Sequence, residues 1–138
     1  MAYRYFAALL FVTLLLLAAP AFTQTDNPGP VVAWSIPPSI LKKASAEYHC
    51  KVGSDYEGVM FPGGDPSGVL DADCLNAEGA RGWVKIVIVI QKDGTPSNIY
   101  AQKHGPVYDC LVPKFAAAQF TPSPHAPFYE YFQLLIKK

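Results

Sequence analysis

The feature that most constrains this chain is the order of patterns between Gly82 and Ile136. Val84 to Gln91 alternates. Val84, Ile86, Ile88 and Ile90 point to one face, and Lys85, Val87, Val89 and Gln91 to the other. The β-branched density suits a central strand covered on at least one side. Asp93-Gly94 then predicts a hairpin, because this pair accepts the positive φ angles of a tight turn. The strand returns through Ser97 to Lys103, and His104-Gly105-Pro106 breaks it. Val107, Cys110, Leu111, Phe115 and Ala118 follow helical spacing, as for an amphipathic helix lying on a sheet. Pro113 falls inside this pattern, so the helix either starts later or is kinked there. After a Pro-rich turn, Phe128 to Ile136 reads as a second long strand. Phe128, Phe132, Leu134 and Ile136 share one side with Glu130; Tyr129, Tyr131, Gln133 and Leu135 take the other.

Upstream of this module the chain reads differently. Arg4, the apolar run Phe6 to Leu17 and the small-x-small site Ala19-Pro20-Ala21 have the form of a cleaved export signal. The run is well short of the ~20 residues a membrane span needs, so no stable span is expected after cleavage. Residues 22–38 form an extended leader, since Pro28, Pro30, Pro37 and Pro38 favour that backbone. Val31, Val32, Trp34 and Ile36 are apolar enough to lie along the domain surface. Ser39 to Tyr48 is a short helix candidate with Ser39 as its cap. Val52 to Gly82, rich in Gly, Asp and Pro, is a long connection with a short strand candidate at Gly58 to Phe61. The folded unit is thus expected over 39–138.

Eleven basic residues face eleven acidic ones, scattered singly. That balance argues against nucleic acid or anionic lipid as the main partner. Export implies an oxidising compartment, periplasmic or secreted, in which cysteines pair. Three are present, so one is left over. Cys50 and Cys74 flank the Gly/Pro-rich connection and are the first candidates for a bridge; a pair involving Cys110 is the alternative.

Few residues point to chemistry. His49, Cys50 and Cys74 lack zinc-ligand spacing. Asp55, Glu57, Asp65, Asp71 and Asp73 cluster in the connection but without calcium-loop spacing. His104 and His125 sit in turns. No Gly-x-Ser-x-Gly or His-Glu-x-x-His occurs. Neither catalysis, a metal nor a cofactor is expected. An aromatic strand such as Phe128 to Phe132 ordinarily packs in a sheet, yet at a sheet edge it would offer backbone groups to an extended peptide.

Taken together, the features resemble the C-terminal domain of TonB and its relatives. Gly82-x-Val84 opens the strand, Asp93-Gly94 turns it, and His104-Gly105 sits where a small loop belongs. Gln119-Phe120-Thr121-Pro122 matches the helix exit, and Phe128 to Ile136 the last strand. The resemblance implies a small α+β domain: a three-stranded antiparallel sheet with one packed helix, plus the long disulfide-tied loop. It also implies a non-catalytic binding module in envelope transport that takes an extended segment of a protein partner by strand addition. Tyr129, Tyr131, Gln133 and Leu135 would flank that segment. No Pro-Glu/Pro-Lys spacer is present, so energy transduction itself is not expected. The alternative is a secreted inhibitor or ligand-binding protein using the loop 52–73.

Overall fold

The strand Gly82–Ile90 (β2) is the axis of the fold. Ile86, Val87, Ile88, Val89 and Ile90 are all buried, so this strand is covered on both faces. The computed structural model describes residues 28–64, 66–70 and 72–137. The export signal falls outside the described residues.

The sheet has four strands in the order β1-β3-β2-β4. Here β1 is Val31–Ala33, β3 is Pro96–Ala101 and β4 is Phe128–Ile136. β2 pairs antiparallel with both β3 and β4, with Ile88 opposite Ile99 on one side and Glu130 on the other. β1 runs parallel to β3, with Val32 opposite Ile99. Among the described residues there are four α-helices: α1 (Pro38–Tyr48), α2 (Lys51–Glu57), α3 (Ala72–Leu75) and α4 (Pro106–Ala117). Tight 3-10 turns lie at Pro62–Gly64 and Pro66–Gly68.

This corrects the expected three-stranded antiparallel sheet with one helix. Two causes account for the difference. The Pro-rich leader does not merely lie on the surface; its extended backbone pairs with β3 as a fourth strand. The second face of the sheet is also apolar, and α1 covers it. Ala44 packs there on Val87 and Tyr131, with Ile40, Leu41 and Tyr129 around them. On the opposite face Ile86, Ile88, Ile99 and Phe128 meet Leu111 and Phe115 of α4.

Local chemistry sets the element ends. α1 begins at Pro38 with Pro37, not Ser39, as its cap; proline at the first helical position loses no intrahelical bond. Pro113 lies within α4 on its exposed side, where its missing N–H and ring crowding are tolerated. The connection after α1 folds as α2, the tight turns and α3 rather than as a loop with a strand at Gly58 to Phe61. Cys50 starts α2, its Sγ accepting from Gly53 N at 3.2 Å.

The disulfide joins Cys74 to Cys110, with Cα atoms 5.4 Å apart, and Cys50 is free. The expected Cys50–Cys74 bridge is therefore corrected. α3 turns the connection back onto α4, and Cys110 faces it there. The bridge closes a stretch spanning 36 residues. The chain-entropy treatment gives about 4 kcal/mol for a loop of that order.

The helix exit is locked onto the hairpin. Phe120 N donates to Gly94 O at 3.0 Å, and Gln119 Nε2 donates to Asp93 O at 2.8 Å. Gly94 has φ +86°, and a Cβ there would lie 2.0 Å from Phe120 O. Asp93 Oδ1 accepts from Thr95 N and Oγ1, at 3.0 and 2.7 Å, and these bonds lower its pKa.

Two stability predictions follow from these contacts. Replacing Cys74 and Cys110 together by Ala should lower the unfolding free energy by about 2–4 kcal/mol, whereas Cys50→Ser, which keeps an acceptor at the cap, should change it by less than about 0.5. Gly94→Ala should cost at least about 2 kcal/mol through the forced φ and the clash at Phe120. Urea unfolding of each variant, with peptide mapping of the bridge, checks both; a bridge mapped to Cys50 would refute the first.

Candidate functional site

β4 places its residues on alternate faces as the sequence indicates, but the two faces meet different surroundings. Tyr131 is buried beneath α1, and Tyr48 meets its ring edge-on at 6.4 Å. Tyr129 is half-buried; Lys43 donates to its hydroxyl at 3.3 Å and lies 5.1 Å from its ring centre. Gln133 and Leu135 remain exposed. The four residues expected to flank a partner thus divide into two that anchor α1 and two that face outward.

The opposite face of β4 carries the anomaly. Glu130 is only 6% exposed, on a side otherwise occupied by Phe128, Phe132, Leu134 and Ile136. Burial pushes its carboxyl up to about 8, and the like charge of Glu57 adds to the shift. Tyr56 of α2 answers to the same surroundings. Its hydroxyl, which donates to Thr121 O at 2.6 Å, is pushed up to about 12 by burial and then by Glu130. Tyr56 also packs edge-on against Phe128 at 4.7 Å.

Glu130 lines a cavity of about 280 Å³. Its floor is Ile88 and Phe115, and Glu57, Gly58, Met60, Phe61, Pro66 and Leu70 form one wall. Four consecutive residues of β4, Glu130 to Gln133, line it as well. Since successive strand residues point to opposite faces, the cavity runs along the outer edge of β4. No other strand among the described residues pairs with that edge.

The remaining candidates scatter. His104 stacks on Trp34 at 3.8 Å and meets Asp109 at 3.3 Å. His125 Nε2 lies 3.2 Å from Glu47, whose other carboxyl oxygen is 3.8 Å from the Cys50 thiol. The carboxylate stands between thiol and imidazole, so this group is not arranged as a nucleophile with its base. His49 caps α1. Asp55 pairs with Lys51 at 2.6 Å. Asp65 and Asp71 lie outside the described residues. Among the described residues no three ligand side chains are placed to hold a metal ion, and no helix is long and apolar enough to cross a membrane.

Sequence reasoning missed Tyr56, Glu57 and Glu130 as a group. The available signal was a single acid on the apolar side of β4. No family model matches the chain, and no curated protein or solved structure matches it.

Protonated Glu130 suits the folded state, so its contribution to stability is fully present below pH 4.5 and is lost as pH rises to about 8. Glu130→Gln should therefore flatten the pH dependence of unfolding between those values. The variant should match the wild type at pH 4 and exceed it by a few kcal/mol at pH 9. Urea midpoints at both pH values measure this; parallel pH profiles would show that the carboxyl is not held neutral.

Proposed function

We propose that this chain is a non-catalytic protein-binding module that takes up an extended segment of its partner along the outer edge of β4. One observation carries the reading. β4 is a nine-residue strand at the end of the sheet, and the cavity opens along the side that no strand among the described residues pairs with. An unpaired edge offers a row of N–H and C=O groups, which natural proteins ordinarily cover, shorten or break. β4 has no proline or bulge against β2, and its pairing is continuous from Phe128 to Ile136. Strand addition supplies backbone hydrogen bonds, and a side-chain pocket beside the edge supplies selectivity. The sequence resemblance to the TonB C-terminal domain implies the same acceptor strand and a partner in envelope transport. The Cys74–Cys110 bridge fits an oxidising compartment, periplasmic or extracellular.

The flanking roles change in this reading. Gln133 and Leu135 stand beside the incoming segment, while Tyr129 and Tyr131 hold the strand flat under α1. The second reading, ligand binding through the loop 52–73, is favoured by one fact: Glu57, Gly58, Met60, Phe61, Pro66 and Leu70 line the cavity. That part of the chain is folded back as a wall.

Capturing partners from an envelope extract with the mature chain, then mapping hydrogen exchange in the purified complex, separates the two. Strand addition should slow exchange at least tenfold in the amides of residues 130–135. Protection confined to residues 57–70, with β4 unchanged, would sink the proposal in favour of the loop.

A further inference from the structure

We propose that the cavity beside β4 is a specificity pocket for one basic side chain, lysine or arginine, carried by the segment that pairs with that strand. The inference rests on the strand-addition reading and adds the chemistry of the anchor residue. Glu130 brings a carboxyl group to a site walled by hydrocarbon. No described group donates a hydrogen bond to it, and no buried polar atom is left without a partner, so its oxygens face the open space of the cavity. Glu57 brings a second carboxyl to the same lining. None of the described lining residues is basic. An acid held this way lacks what a cation provides: charge compensation and hydrogen-bond donors.

The rest of the wall suits the stem of such a side chain. Phe61, Phe115, Phe132 and Leu70 offer apolar surface to its methylene groups. Position agrees as well. A strand paired with β4 lies about 4.8 Å from it, and its side chains directed toward α4 enter the space in front of Glu130. A neutral apolar residue at that position gives the Glu130 carboxyl no donor, and an acidic one adds like charge beside Glu57, so the pocket favours the basic residue over both.

Binding a cation favours ionised Glu130, so affinity should rise with pH until the carboxyl is ionised without it. The other titratable groups facing Glu130 are Glu57 and Tyr56 from α2; Tyr48 of α1 and Tyr131 line the cavity from the other face of β4. β2 and α4 face it with Ile88 and Phe115.

The test uses two synthetic seven-residue peptides of alternating Thr and Val, with either lysine or norleucine at the centre. Each is titrated into the mature chain at pH 6 and pH 8.5 while backbone amide shifts are followed. The lysine peptide should bind at least tenfold tighter at pH 8.5, with shifts along β4, and its advantage should shrink at pH 6. Glu130→Gln, and independently the exposed Glu57→Gln, should reduce the advantage by threefold or more. Equal affinity of both peptides at β4 would overturn the basic anchor and leave strand addition standing. Shifts away from β4 for both would overturn strand addition and the anchor with it. If neither peptide binds, n-butylammonium chloride against n-butanol decides: shifts at residues 130–133 with the amine alone support the cation pocket, and none overturns it.

Discussion

The fold depends on β2 being buried on both faces. A strand in that position must be apolar at successive residues, not merely at alternate ones. Ile86 to Ile90 meet the requirement. Everything else follows as cover. α4 and the disulfide-linked α3 close one face, α1 closes the other, and β3 and β4 satisfy the backbone on either side. The hairpin cannot shift alone, because Gly94 is pressed against Phe120 at the exit of α4. Strand, turn and helix exit are therefore one mechanical unit.

Much of this was legible in residues. The alternation in β2 and β4, the Asp93-Gly94 turn and the helix ending near Ala118 all appear where their patterns put them. The second face is also visible, since Val87 and Val89 give β2 an apolar character on both sides, but the helix that covers it lies outside the module in which the strand pattern is read. β1 was not readable in this way. Three residues between prolines look extended, and extended backbone becomes a strand only when an edge such as β3 receives it. α2 carries Gly53 within it, which disfavours helix; the residue is there because its Cβ would collide with Glu47 O. Pairing of cysteines depends on where α3 is folded, which spacing does not specify.

The candidate site shows the same division. A lone Glu130 on the apolar side of β4 breaks the local rule, and such breaks tend to mark functional or strained positions. Its partners Glu57 and Tyr56 come from α2, tens of residues earlier, so the cavity itself exists only in the folded chain. Tyr129 and Tyr131, in contrast, were conspicuous in sequence for a packing reason. Their rings support α1.

Glu130 also bears on how the protein tolerates its own abundance. A long bare edge invites a second molecule to add its β4, the first step toward dimers and fibrils. When two such strands meet with their acidic residues at the shared seam, each introduces another carboxyl group into a space already holding two. Ionised, those groups repel, so pairing of like molecules at this seam is opposed most above about pH 8, where Glu130 gives up its proton. On the reading proposed above, the acid that would select a basic guest would also discourage copies of the chain from joining through β4.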